Sequence, residues 1–173
     1  MSRGFVKEDD QEETPFIPPR APLPENSPNY VTKRGLNALI EEKQTLENER
    51  TNLEAENEKE RRLALAVING KLNLVEERIL SAQLIKAENQ PENEVRFGAT
   101  VTSVVLSGNQ KGMERTFTIV GVDESNVKLK RIAFTAPIAK VLLGKKKGDE
   151  LNFKLGNENQ KLQIIDFHYK EMI

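Results

Sequence analysis

The stretch of residues 65–82 (LAVINGKLNLVEERILSA) decides the fold of the first half of this chain. Apolar side chains recur in it at alternating intervals of three and four residues, which is the seam of a helix that packs along another helix. The members of this seam are Leu65, Ile68, Leu72, Val75, Ile79 and Ala82. A helix with one continuous apolar face needs a partner helix to cover that face.

The partner helix is predicted upstream, in residues 31–56. Two cations, Lys43 and Arg50, interrupt the seam there, and the remaining positions are leucines at the same spacing. The leucines are Leu36, Leu39, Leu46 and Leu53. The two seams are one residue out of phase, so a single continuous helix would break its apolar face.

Antiparallel pairing removes this conflict. It matches position 36 with 82 and position 53 with 65, about a centre near Lys59. We therefore predict an antiparallel α-helical coiled-coil hairpin over residues 30–89, with its tip near residues 57–61. The alternative is a straight helix in an intermolecular coiled coil, which would make the protein an oligomeric scaffold.

The segment before the hairpin, residues 1–29, is an acidic, proline-rich tail. It holds six of the eight prolines and a net charge of −3. Proline disfavours helix in itself and in the residue before it, so residues 16–28 are expected to be extended. Its composition is typical of a disordered leader. A docking peptide is the alternative, because Phe5, Val6, Phe16 and Ile17 are apolar side chains that a spacer does not need.

Residues 90–173 alternate between apolar and polar side chains, which is typical of β-strands. Five strands are predicted, at residues 95–106, 115–122, 127–134, 150–155 and 161–169. One short helix is predicted at residues 137–143, because Pro137 suits a first helical turn and Gly144 suits a helix end. The predicted fold class is therefore α+β: the extended tail, the helical hairpin and a β-rich C-terminal domain.

The composition excludes several kinds of site. The chain has no cysteine, which excludes disulfides, thiolate metal sites and a cysteine nucleophile. The chain has a single histidine, His168. A histidine-based zinc site or a Ser/His/Asp triad is therefore not expected, because His168 would have to supply it alone. No apolar run approaches the ~20 residues of a membrane span, and we find no secretory signal pattern. We expect a cytoplasmic protein with no metal ligands and no membrane partner.

Several short motifs resemble, in order and spacing, the GreA/GreB transcript-cleavage factors. The motifs are YVTKRG at 30–35, SAQ at 81–83, FGATV at 97–101, IVGVDE at 119–124 and APIAKVLLGKKKGD at 136–149. The resemblance implies an FKBP-like C-terminal domain that docks on the rim of the secondary channel of bacterial RNA polymerase, while the coiled coil enters the channel. It also implies contact with nucleic acid only indirectly, within the transcription complex. The hairpin, whose seam closes within one chain, predicts a monomer.

The resemblance implies where docking residues lie. They are Asp123 and the residues around the start of the short helix, namely Thr135, Ala136, Pro137, Ile138 and Lys140. Pro137 matches the family pattern, whereas the polar residue and the serine that precede it in the family are Thr135 and Ala136 here.

The tip departs from the family. Family members carry acidic tip residues that help to hold the second catalytic Mg²⁺ of the polymerase, and that motif is missing here. The nearest acidic residues are Glu56, Glu58 and Glu60. The arm is also about two helical turns shorter than expected, roughly 10 Å of reach. We therefore predict a non-enzymatic regulator of transcript elongation, with no catalytic residue and no cofactor unless the tip reaches the polymerase Mg²⁺. A genuine cleavage factor that uses these glutamates is the alternative.

Overall fold

The computed structural model describes residues 14–170, and Phe5 and Val6, two of the apolar residues of the docking-peptide alternative, lie outside that range. Two helices form the first half: α1 (Lys33–Thr51) and α2 (Glu58–Ser81). Each begins at a side chain that caps free backbone amides. The Thr32 hydroxyl accepts from the amide of Gly35, and the Asn57 side chain accepts from the amide of Glu60.

The two helices run antiparallel and cover each other's apolar faces. Their shared core consists of Leu39, Leu46, Ile68, Leu72 and Val75, with Leu53 and Ile79 packed against it. The cations that interrupt the seam of α1 face polar residues of α2: Lys43 Nζ lies 3.0 Å from Glu76 Oε1, and Arg50 donates to Asn69 Oδ1 over 3.4 Å. The seam therefore closes within one chain, and a single straight helix is not observed in residues 14–170.

The turn between the helices lies earlier than the sequence predicts. It occupies residues 52–57, whereas residues 57–61 were expected to form the tip. Asn57 caps α2, and the Glu60 carboxylate accepts a 3.1 Å hydrogen bond from the amide of Glu56. These two contacts start the helix at Glu58, so Glu58 and Glu60 belong to its first turn.

The C-terminal half is a five-stranded sheet with one short helix packed on it. The elements are β3 (Ala99–Val105), β4 (Glu114–Val120), β5 (Arg131–Ala133), α3 (Pro137–Leu142), β6 (Glu150–Leu155) and β7 (Glu158–Tyr169). The strand order is β5-β4-β3-β7-β6, antiparallel except for the parallel pair β4 and β5. The core between them contains Val101, Ile119, Ala139, Leu142 and Leu162. The mixed helix and sheet architecture predicted from the sequence is confirmed.

One predicted strand is wrong in its first half. Residues 127–134 were expected to be a single strand, but Val127–Leu129 is a 3₁₀ turn and only Arg131–Ala133 pairs with β4. The side chain of Asn126 caps the turn, and Lys130 adopts a left-handed φ of 57° that a strand cannot accommodate.

A second, two-stranded sheet lies at the base of the helix pair and was not predicted. Strand β1 (Asn29–Val31) pairs in parallel with β2 (Ala82–Leu84), directly before α1 and after α2. It holds the open ends of the helix pair together.

The proline-rich segment contacts the rest of the chain. Residues 14–28, called the strap below, contain no helix or strand, yet the guanidinium of Arg20 bonds to Glu42 of α1 and to Asp123 of the C-terminal half. The expectation of a disordered leader is therefore wrong for this part of the tail. Across residues 14–170, no helix is both long enough and apolar enough to cross a membrane.

Candidate functional site

The base of the helix pair is joined to the C-terminal half through the carboxylate of Glu124. The hydroxyl of Thr32 donates a 2.7 Å hydrogen bond to Glu124 Oε1, and Arg34 Nη2 lies 3.2 Å from the same oxygen. The Glu124 side chain is only 6% exposed, so these partners replace the water that a buried carboxylate needs. The YVTKRG and IVGVDE motifs, about ninety residues apart in sequence, therefore form one contact.

Two glycines of these motifs allow the close approach. A Cβ atom built on Gly35 would overlap with the carboxylate of Glu124, and one built on Gly121 would lie 2.6 Å from the carbonyl oxygen of Tyr30. The first glycine sits inside α1, where alanine would ordinarily be the better helix former. Glycine at both positions is explained by the approach of the two segments.

Three aromatic rings complete the joint. Tyr30, Phe97 and Phe134 contact each other pairwise with centroid separations of 5.7, 5.5 and 5.8 Å in tilted and edge-on arrangements. Such pairs add to the free energy gained from apolar burial. The C-terminal domain is thus seated on the base of the helix pair by both polar and apolar contacts.

Asp123 is engaged inside the molecule. Its side chain is 10% exposed, with Arg20 Nε 2.9 Å from Oδ1 and Arg78 Nε 3.3 Å from Oδ2. A carboxylate with two internal cationic partners is poorly placed to bind another protein. Among the residues expected to dock, Asp123 is therefore held by partners within the chain.

The residues around α3 divide into buried and exposed members. Ile138 packs against the core of the sheet domain, and Thr135 and Ala136 are half-buried. Pro137 and Lys140 are exposed. The proline occupies the first helical turn, as the sequence predicts. An external partner at this helix would therefore contact Pro137 and Lys140 first.

The end of the helix pair carries glutamates that do not converge. Glu56, Glu58 and Glu60 are all exposed, and the carboxylate of Glu60 already accepts the amide of Glu56. Residues two apart on a helix point in different directions. Within residues 14–170, no group of three or more histidine or acidic residues is arranged to hold a metal ion.

The ion-pair cluster at the joint was not predicted from the sequence. Arg20 and Arg78 both pair with Asp123 there, and Arg20 also pairs with Glu42, although these residues lie on separate segments. One clue was present, since Arg20 is the lone cation of residues 8–32, a stretch rich in acid and proline.

The comparisons with known proteins agree on one family. Residues 90–169 match the family model described as transcription elongation factor GreA/GreB, C-terminal domain. The transcription elongation factor GreA of Helicobacter hepaticus is 33% identical over 108 residues, covering 62% of this chain and 64% of that relative. The GreA of Aliarcobacter butzleri is 33% identical over 133 residues, covering 77% of this chain and 79% of the relative.

A solved structure of a GreA/GreB factor from Nitrosomonas europaea is 20% identical, with a TM-score of 0.40, and the match covers 81% of this chain and 98% of that one. The chain spans less than two thirds of the length of the Helicobacter hepaticus relative. The match to the Aliarcobacter factor covers 79% of that relative and is longer than the segment 90–169 that the family model matches. The chain therefore belongs to the GreA/GreB family of transcription elongation factors.

Proposed function

We propose that this protein binds bacterial RNA polymerase and modulates transcript elongation. In this proposal the C-terminal half is an FKBP-like domain that docks on the rim of the secondary channel. The helix pair acts as an antiparallel coiled coil that enters the channel. Membership of the GreA/GreB family supports this function.

One observation carries the proposal: the helix pair is anchored at one end and exposed at the other. The base is held by the Thr32–Glu124 bond and the aromatic cluster. At the far end, every residue from 54 to 62 is exposed. At 1.5 Å per residue, the 24 residues of α2 form a rod of about 36 Å. A rod with a fixed base and a bare polar end suits a probe that enters a channel.

We further propose that the protein has no catalytic activity of its own and does not stimulate cleavage by the standard route. Magnesium requires carboxylate oxygens at about 2 Å, converging on one point. Glu58 and Glu60 lie two positions apart in the first turn of α2 and diverge. The tip is thus better suited to act by bulk and charge than to hold the polymerase Mg²⁺.

The docking surface is proposed to be the exposed side of α3, with Pro137 and Lys140 as its central residues and Thr135 beside them. Contact with nucleic acid would be indirect, through the transcription complex. We expect the protein to act in the cytoplasm. We also expect it to be a monomer, since the apolar seam of each helix is covered by the other helix of the same chain.

Two assays test the proposal. Co-purification with bacterial RNA polymerase should recover this protein, and a failure to recover it would overturn the proposed function. RNA cleavage is then followed on a backtracked complex. We expect no cleavage beyond what the polymerase performs alone. Cleavage stimulated by added protein would favour the alternative, in which the tip glutamates hold the metal.

A further inference from the structure

We propose that the strap, residues 14–28, is an intramolecular ligand of the helix pair and fixes the direction in which that pair leaves the C-terminal domain. Nothing in the family assignment supplies this role, since the family model covers residues 90–169. Three residues anchor the strap: Ile17 near its start, Arg20 in its middle, and Asn29 just after its end.

The strap follows α2 from its base towards the tip. Asn29 Nδ2 donates to the carbonyl of Arg78 over 2.9 Å, and Arg78 in turn donates to the carbonyl of Ala21. Further along, Ile17 lies against Gly70. Positions 78 and 70 are separated by about 12 Å of helix, and positions 21 and 17 by about 12 Å of polyproline II. The equal lengths are consistent with continuous contact between an extended strap and the helix.

Ile17 occupies a seat that a glycine provides. A Cβ atom built on Gly70 would overlap with Cδ1 of Ile17 and lie 2.8 Å from its Cγ1. Gly70 sits in the interior of α2, where glycine costs about 1 kcal/mol relative to alanine. The side chain of Ile17 explains why this costly residue is found there, because a larger residue would have to displace it.

Arg20 ties three segments together. Its guanidinium donates to both oxygens of Glu42 on α1, over 2.8 and 3.0 Å, and its Nε lies 2.9 Å from Asp123 of the C-terminal domain. Arg78 of α2 reaches the other oxygen of Asp123. The Arg20 side chain is only 17% exposed, so these paired bonds are held in a partly dry environment, where charge-assisted bonds are strong.

This cluster and the Thr32–Glu124 bond hold adjacent residues of the C-terminal domain to different parts of the helix pair. Glu124 is fixed to the start of α1, whereas Asp123 is fixed through Arg20 to Glu42, further along α1. Two attachments spaced along one helix restrict rotation about either one. The strap therefore sets the angle between the helix pair and the docking domain, and so the path of the tip.

Proteolysis tests whether the strap is bound. Trypsin cleaves after arginine, and the bond between Arg20 and Ala21 should be protected in the parent protein. Gly70→Ala should raise the rate of cleavage at this bond about tenfold, as should Ile17→Ala, because each removes the seat or its occupant. Asn73→Ala is the matched control: it also improves helix propensity at an exposed position of α2, three residues away, and should leave the rate unchanged. Unchanged protection in both Gly70→Ala and Ile17→Ala would overturn the proposal.

A distance measurement tests the orientation. The chain contains no cysteine, so spin labels can be placed at T51C, at the end of α1, and at K111C, in the C-terminal domain. We expect a narrow distance distribution in the parent and in Asn73→Ala, and a broad one in Ile17→Ala and Gly70→Ala. If the strap is released but the distribution stays narrow, the strap does not fix the orientation and the inference fails. Both measurements use the free protein, so their outcome is independent of polymerase binding.

Discussion

The hydroxyl of Thr32 accepts from the amide of Gly35 over 3.0 Å and donates to Oε1 of Glu124 over 2.7 Å. One side chain therefore begins α1 and binds the C-terminal domain 92 residues later in the sequence. The bond to Glu124 directs the hydroxyl hydrogen outward, which leaves an oxygen lone pair to cap the helix. At this residue, the start of α1 is coupled to the contact between the helix pair and the C-terminal domain.

Replacing Thr32 with valine should destabilise the protein by about 2 kcal/mol or more. Valine keeps the shape but removes the cap, worth about 1 kcal/mol, and leaves the buried carboxylate of Glu124 short of a donor. Chemical denaturation measures the loss. Thr45→Val is the control, because it makes the same substitution on an exposed face of α1. This control should change the free energy of unfolding by less than about 0.5 kcal/mol. Equal losses in the two variants would contradict the coupling.

Truncation of Leu72 to alanine should cost about 2–5 kcal/mol, since it opens a cavity in the shared core of the helix pair. Leu80→Ala is the matched control on the same helix: that leucine is 86% exposed and should contribute almost nothing. Thermal unfolding followed by helical circular dichroism compares them. Similar midpoints for the two variants would mean that the helices do not pack as described.

The helix pair was predictable because each helix is marked by the spacing of apolar residues close together in the sequence. A seam of period three and four marks each helix, and even the interruptions at Lys43 and Arg50 have a structural explanation in Glu76 and Asn69 across the seam. The turn was misplaced by a few residues because the capping contacts of Asn57 leave no periodic pattern.

The strap and the joint could not be predicted in this way. Arg20 meets Asp123 across 103 residues, and three-residue strands such as β1 carry no recognisable alternation. The sequence predicted the position of the short helix α3. It could not show that Ile138 packs against the core whereas Lys140 is exposed. A six-residue helix is too short for its buried face to be read from spacing.

Stability should fall at high pH through the phenol of Tyr169. Its hydroxyl donates to the carbonyl of Glu94 and accepts from the amide of Arg96, and burial raises the pKa of the phenol above its usual value near 10. A raised folded-state pKa favours the protonated form, so the contribution is complete below pH ~10 and is lost as the pH rises through the folded-state pKa. Unfolding free energies of the parent and of Tyr169→Phe, compared from pH 8 to 11, measure it. The advantage of the parent over the phenylalanine variant should shrink with rising pH, and a constant difference would contradict the role of burial.

If α3 is the docking surface, as we propose, Pro137→Ala combined with Lys140→Glu should abolish co-purification with RNA polymerase. Both residues are exposed, so the sheet domain should keep its fold, which circular dichroism checks. Ile138 is left unchanged because its loss would damage the core. Lys111→Glu is the control: it also reverses one charge, in the turn at the far end of β3, and should leave binding intact. Undiminished binding by the double variant would remove α3 from the docking surface.

The last prediction concerns the tip, where the two functional alternatives diverge. Replacing Glu56, Glu58 and Glu60 together with glutamine removes three charges but keeps size and helix propensity. The exposed charges are screened, so polymerase affinity should weaken by about 1 kcal/mol or less. Glutamine at position 60 still offers a carbonyl oxygen to the amide of Glu56, so the start of α2 should survive. A metal-holding carboxylate would behave differently, because its loss lowers the rate of cleavage by orders of magnitude at unchanged affinity. We expect the parent protein to give little or no stimulated cleavage and the triple variant to bind almost as well. Strong cleavage by the parent that disappears in the triple variant would show instead that these glutamates reach the polymerase metal.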